Sequence, residues 1–209
     1  MFFCRADLLD DRFEGSLTRA NVTQREHLAT SSAPDDPNLA ARYRQMREWT
    51  AINCWSCNDY ESAAMWSLYC PTGAGISVRT TFARLCDAFD KSAPWNVVIG
   101  KITYLDYDHA IVPERHHLAP FLHKRQSFEH EREVRAIVQR APDPTMPNRI
   151  SPFPRGGIGV RVALSQLIET VYVSPTAPAW YLELVRQIAR RYSLPADVKQ
   201  SSLAADPIY

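Results

Sequence analysis

The sequence predicts an α+β fold: one mixed β-sheet with helices packed on it. Three observations carry this expectation. Strand-like and helix-like segments alternate along the chain, without the strict rhythm of a doubly wound fold. The 209 residues are 45% hydrophobic and 22% charged, which suits one globular domain over 1–209 with a full core. The fingerprints G-x-G-x-x-G, G-x-x-x-x-G-K-[ST] and G-x-S-x-G are missing, as is the kinase signature, which argues against ordinary Rossmann, P-loop and hydrolase sheets.

The elements follow in order. "FFCRA" (2–6) reads as a short strand and "DLLDDRFEGS" as a turn-rich loop. A chain that opens inside a strand is unusual, because termini fray, so a further strand upstream is expected. Residues 38–50 place Leu39, Tyr43, Met46 and Trp49 on one helical stripe. "AINCWS" (51–56) is a buried strand, and "ESAAMWSLYC" (61–70) a short helix ended by Pro71 and Gly73. "GISVRT" (75–80) is a strand, "TFARLCDAF" (81–89) a helix, and "NVVIGKITYLDY" (96–107) one long strand. "PFLHKRQSFEH" (120–130) looks helical and leads into the strand "EVRAIV" (133–138). Residues 141–157 carry five prolines and form an irregular loop. "IGVRVAL" and "IETVYVSP" are two more strands, and "PAWYLELVRQIARRYS" is a terminal amphipathic helix.

Composition excludes some functions. Lys+Arg 24 against Asp+Glu 23 leaves a net charge of +1, so no overall field draws the chain to nucleic acid or an anionic membrane. No apolar run approaches the roughly 18 residues of a spanning helix. Five cysteines at irregular spacing fit a reducing cytoplasm. Cys54 and Cys57 form C-x-x-C, but no second pair follows at zinc-site spacing, and two small residues at a strand end explain them as well.

Three polar clusters interrupt the scaffold. The first, "RADLLDDRFEG", sets Arg5, Asp7, Asp10, Asp11, Glu14 and Gly15 after the first strand. It is either a capping turn or a loop that offers a carboxylate to a ligand. The second, "NDYESAAMWSLY", puts Glu61 and Ser62 in the first turn of a helix, with Trp66 and Tyr69 further along and Trp55 on the preceding strand. Capping explains the acids; the aromatics also suit a seat for a nucleotide ring. The third, "HKRQSFEHEREVR", sets Lys124 and Arg125 before Glu129, Glu131 and Glu133. A solvated face with i,i+4 pairs such as Arg125–Glu129 would explain part of it. If the strand already begins at Glu129, however, Glu129, Glu131, Glu133 and Arg135 share one face. Charges crowded at a strand end are a common mark of active sites. Five of the six histidines lie nearby, but without H-E-x-x-H no metal is expected.

"FFCRADLLDDRFEGS", "NCWSCNDYESAAMWSLY", "GISVRTTFARL", "GKITYLDY", "FLHKRQSFEHEREVRAIV" and "VYVSPTAP", in this order, resemble the bacterial domain-of-unknown-function family numbered 2971. That family supplies no activity of its own; its members carry an upstream strand that this chain lacks. A more distant likeness is to ADP-ribosyltransferase-like enzymes, through a polar first strand, a Ser-bearing middle segment and Glu131-x-Glu133 before an apolar strand. That likeness implies NAD as a substrate, a macromolecular acceptor, and a role as an effector or in defence against phage. It also implies Glu133 or Glu131 as the catalytic carboxylate and Ser62 in the middle role. Arg125 and Lys124 would meet phosphates, Trp55, Trp66 and Tyr69 the rings, and Glu14 and Glu61 would line the same pocket. Two rivals remain: a metal-dependent hydrolase or nuclease built on Glu14, Glu61, Glu131 and Glu133, and a binding module without catalysis.

Overall fold

The structure, a computed structural model, describes residues 1–29, 38–113, 116–140 and 151–208. In chain order the elements are β1 (Phe2–Arg5), α1 (Arg19–Ala29), α2 (Leu39–Glu48), β2 (Thr50–Ser56), α3 (Ala63–Tyr69), β3 (Ile76–Arg79) and α4 (Phe82–Asp87). They continue with β4 (Val97–Lys101), β5 (Thr103–Leu105), β6 (His123–Arg125), β7 (Glu133–Gln139), β8 (Gly157–Gly159), α5 (Leu164–Leu167), β9 (Thr170–Val173), α6 (Ala179–Arg191) and β10 (Asp197–Gln200). The α+β class stands, but among the described residues the expected single sheet is replaced by three, of five, three and two strands. The chain groups into two compact units, one of Met1–Cys57 with Pro94–Val160 and one of Asn58–Ala93 with Arg161–Tyr209.

The first unit is built on the antiparallel order β4-β7-β2-β1-β8. β7 is its spine, because "VRAIV" is buried on both faces. Alternation sends Glu133, Arg135 and Ile137 to one face and Val134, Ala136 and Val138 to the other. On the first face Ile137 meets Ile52 and Val98 across the ladder and joins a core of Ala6, Leu118 and Phe121. The polar end of that face is where the charged residues gather. At the far edge, Gly157 runs at φ 131 and a Cβ there would lie 2.0 Å from the Phe3 carbonyl oxygen, so only glycine lets β8 approach β1.

Two expectations fail around β6. The strand read as one over 96–107 breaks at Ile102, whose N–H donates to the Glu133 carbonyl at 2.9 Å. Beyond that point the chain leaves β7 and pairs parallel with β6, Tyr104 opposite Lys124. Residues 120–130 are therefore not a helix. A 3₁₀ turn at Ala119–Phe121, the strand β6 and a second 3₁₀ segment at Gln126–Glu131 take its place. The backbone of 123–125 finds partners in β5, which a local pattern cannot show. With period 2 instead of 3.6, Lys124 points inward while His123 and Arg125 are half-buried. The strand also does not reach back to Glu129; it starts at Glu133, after Arg132 in the left-handed region (φ 45, ψ 53).

The second unit holds the mixed sheet β10-β9-β3. β9 and β10 are parallel and β3 is antiparallel to β9; α6 is the crossover between the parallel pair. Val171, Val173 and Val198 are buried beneath it with Ala189. The reading of 158–164 as a strand shortens to β8, and α1 and β10 were not anticipated. β10 offers the sequence little signal, since Val198 is the only buried residue in its run of four. Residues 141–150 of the predicted proline-rich loop lie outside the described residues. Among the described residues no helix is long and apolar enough to cross a membrane.

Candidate functional site

The polar end of the first unit brings together acids from three separate segments. Glu14 comes from the loop after β1, Glu131 from the 3₁₀ segment and Glu133 from the first position of β7. Gly15 shapes the loop that delivers Glu14. It runs at φ 67, and a Cβ there would stand 2.4 Å from the Phe121 ring. All three acids are buried, with Glu14 2%, Glu131 7% and Glu133 6% exposed, around Lys124 at 7% and Arg135 at 0%.

Arg135 is the rigid centre. Its Nη1 and Nη2 bind the two oxygens of Glu14 at 2.7 and 2.6 Å. Nε and Nη2 both reach Oε2 of Glu133, at 2.8 and 2.6 Å. Nη1 also donates to the Phe121 carbonyl at 3.0 Å. Four of these contacts are hydrogen bonds and the fifth, Nη2 to Glu133, is an ion-pair contact. Burial alone would lower the Arg135 pKa; the Glu14 bonds and charge and the field of Glu133 more than reverse this, and the group is held above its ordinary value. Its ladder neighbours are Cys54 and Gly100, and the Leu122 side chain fills the space a Cβ at Gly100 would need.

Lys124 is the second cation. Its Nζ lies 2.5 Å from Glu131 Oε2, 3.6 Å from Glu133 Oε1 and 3.7 Å from Glu14 Oε1, with the Phe128 ring 4.6 Å away. Desolvation lowers its pKa, yet the Glu131 hydrogen bond and the charges of Glu133 and Glu14 outweigh that and raise it. It therefore stays an ammonium at neutral pH and is no general base. Tyr104 accepts the Glu133 N–H at 2.8 Å, and Tyr107 donates to the His123 carbonyl at 3.1 Å. Burial raises both phenols, with Glu133 and Glu131 adding to it at Tyr104 and Glu14 and Asp11 at Tyr107.

Arg125 stands at the rim. Its Nη2 pairs with Asp11 Oδ1 at 2.7 Å while its side chain stays 36% exposed. The guanidinium lies 4.2 Å from the Phe13 ring centre and 5.3 Å from that of Phe128. The i,i+4 pair with Glu129 has no helix to support it, and a residue 114 positions away takes the charge instead.

The structure thus joins Glu14, Lys124, Arg125, Glu131 and Glu133 in one neighbourhood. Trp55 is in the same unit but opposite Val134 in the ladder, on the other face of the sheet from Glu133, with its Nε1 on Asn53 Oδ1 at 2.6 Å. Glu61, Ser62, Trp66 and Tyr69 belong to the second unit. Ser62 caps α3 there by accepting the Met65 N–H at 3.4 Å. Glu61 accepts from the Ser202 N–H and hydroxyl at 2.9 and 2.8 Å and from Trp66 Nε1 at 3.3 Å. Burial pushes its acid up, but the bonds from Ser201, Ser202 and Trp66 bring it below the ordinary carboxylate range. Capping thus accounts for the serine of "DYES", while the glutamate ties the start of α3 to Ser202.

Sequence reasoning did not single out Tyr104, Tyr107, Phe13 and Phe128 as neighbours of the acids. It also overlooked Ser56, whose hydroxyl donates to the Glu131 carbonyl at 2.9 Å and which faces Glu133 in the ladder. Among the described residues no group of three or more His, Cys, Asp or Glu is arranged to hold a metal ion; the space between Glu14, Glu131 and Glu133 is occupied by Lys124 and Arg135. No protein-family model, curated protein or solved structure matches the chain.

Proposed function

We propose that the first unit is the catalytic part of an ADP-ribosyltransferase-like enzyme that cleaves the nicotinamide–ribose bond of NAD. One observation carries the reading: three buried carboxylates from three chain segments converge within 3.7 Å on the single ammonium of Lys124. Such an arrangement is complementary to positive charge, in a site where burial strengthens each interaction. In the reaction, the bond between the ribose C1′ and the pyridinium nitrogen breaks, and its electron pair leaves with nicotinamide. The positive charge moves from the ring to an oxocarbenium-like C1′, which a fixed carboxylate stabilises. Water or a nucleophile of an acceptor then attacks C1′ and gives up a proton. Arg125, half-buried at the rim and braced on Phe13, is the group for the diphosphate. Ser56, which faces Glu133, takes the middle role that the resemblance gave to Ser62.

A second reading is favoured by Arg135, which is fully buried and makes four hydrogen bonds and a further ion-pair contact inside the protein. A buried charged network of this kind is what a non-catalytic binding module would carry to fix its fold. Purified protein with millimolar NAD separates the two. Release of nicotinamide, with a thermal shift that follows RT ln(1 + [L]/Kd), supports the enzyme. Neither release nor a shift with NAD or ADP-ribose leaves the module.

A further inference from the structure

We infer that the outward face of α6, in the second unit, is the contact surface of a symmetric dimer whose other half is a second copy of this chain. The helix carries more apolar residues than its own unit buries. Ala189 is its one buried residue. Trp180, Leu184, Ile188 and the C-capping Tyr192 stay 65%, 42%, 48% and 77% exposed. These four stand at i, i+4, i+8 and i+12, so they form one ridge about 18 Å long at 1.5 Å per residue. The backbone beneath the ridge is fixed at both ends. The Tyr181 N–H donates to the Pro178 carbonyl at 2.9 Å and the Tyr192 N–H to the Ile188 carbonyl at 3.1 Å. Trp180 is braced against Tyr181, with ring centres 5.7 Å apart at 83°.

Geometry, area and charge select a second copy as the occupant. A ridge of i±4n spacing packs into the grooves beside an identical ridge at about −50°, the commonest crossing of globular helices. A two-fold axis through the middle of α6 therefore uses one row twice. The four side chains leave on the order of 500 Å² of each copy in water, and two copies together reach the roughly 1,000 Å² that a specific interface needs. With the helices antiparallel, Leu184 of one copy lies level with Ile188 of the other. Each Trp180 then meets Arg191 and Tyr192 of the other copy, which gives the guanidinium an indole face. A net charge of +1 adds little repulsion between copies. A lipid surface fits less well, because a membrane-surface helix keeps Lys and Arg on its polar flank for anionic headgroups. On that flank of α6, Glu183 takes Arg190 at 2.6 Å and approaches Arg186 at 4.0 Å. Arg186 is also bonded through Nε to the Val198 carbonyl at 3.2 Å.

The test is sedimentation velocity of the full chain across the micromolar range, with circular dichroism as the check on folding. The parent should sediment as a dimer that dissociates on dilution. Leu184→Glu and Ile188→Arg should each weaken association by about 30-fold or more. Both positions face solvent in the single chain, so the helix signal should stay. An equimolar mixture of the two variants should recover the dimer, since opposite charges then meet across the axis; mixing would not mend a defect of folding. Trp180→Ala repeats the test without adding a charge and should weaken association by about 10-fold or more. A parent that stays monomeric throughout the micromolar range overturns the inference. So does a dimer that none of the three substitutions weakens. A parent that is monomeric in solution but pellets with phosphatidylglycerol vesicles assigns the ridge to lipid and overturns it as well. Each outcome stands whether or not the chain releases nicotinamide from NAD.

Discussion

Arg135→Met is the substitution that most directly measures how far the fold depends on the charged cluster. Methionine replaces the stem of the arginine and removes all five donors, leaving Glu14 and Glu133 buried with Lys124, 3.7 and 3.6 Å away, as counter-ion. It also leaves the Phe121 carbonyl without the bond it accepts at 3.0 Å. Removing one partner of a buried ion pair costs about 3–5 kcal/mol, and a stranded buried carbonyl about 1–3 kcal/mol. Because the groups share one network these do not add fully, and a loss of about 4–6 kcal/mol at pH 7 is expected. That is a large part of the roughly 5–15 kcal/mol of a typical domain. Urea unfolding followed by both far-UV circular dichroism and fluorescence measures it, with equal m-values as the check on a shared mechanism. A loss under about 1 kcal/mol, the range of exposed pairs, would refute the reasoning.

Further outcomes follow from single positions. Arg132 is exposed and sits in the left-handed region, which costs a non-glycine residue roughly 1–2 kcal/mol; Arg132→Gly should raise the urea midpoint, and a fall would mean that its side chain has a partner of consequence. Gly15→Ala would drive a Cβ to 2.4 Å from Phe121 and should cost several kcal/mol, roughly as other strained core insertions do, read as a drop in Tm. Glu61→Ala removes the acceptor for Ser202 and should cost about 1 kcal/mol, with no change in nicotinamide release by the first unit. Tyr104, Tyr107 and Lys124 all have folded pKa values raised above the unfolded ones. Their contribution is complete below the unfolded values of about 10 and is lost as pH rises through the folded ones. Stability should thus fall steeply in alkali, and phenolate absorbance should show two tyrosines that ionise late; a single common titration would contradict the burial described for them.

The candidate cluster was partly legible because its residue types are unusual for where they stand. Glu131 and Glu133 lead directly into an apolar run, and Lys124 precedes them by only a few positions, so proximity along the chain already hinted at a shared site. What could not be read were the partners. Arg125 pairs with Asp11 across 114 positions and Arg135 with Glu14 across 121, and no local periodicity records such distances. The helix expected over 120–130 failed for the same reason: a three-residue strand is too short to show its period, and it exists only because β5 turns away from β7 at Ile102. Trp55 went astray by one position, since a neighbour in a strand points to the opposite face. In the second unit Ser62 caps α3 and Glu61 holds Ser202 and the Trp66 ring nitrogen, partners of which only the cap was legible.

Each compact unit is spliced from two stretches of chain, in the order first, second, first, second, with crossings after Cys57, Ala93 and Val160. Synthesis therefore cannot finish one unit before starting the other. Arg135 emerges from the ribosome only after the whole 58–93 excursion has been made, and β1 must wait for residues 157–159 before its outer edge is covered. Pairings this distant in sequence slow folding and leave apolar strand edges open to other chains in the meantime. A simple truncation at any of the three crossings would divide a unit rather than release one. Isolating the first unit calls for a designed linker that joins Cys57 to Pro94, and the unit so obtained would present the whole Glu14–Lys124–Glu131–Glu133–Arg135 cluster in a chain of little more than half the length.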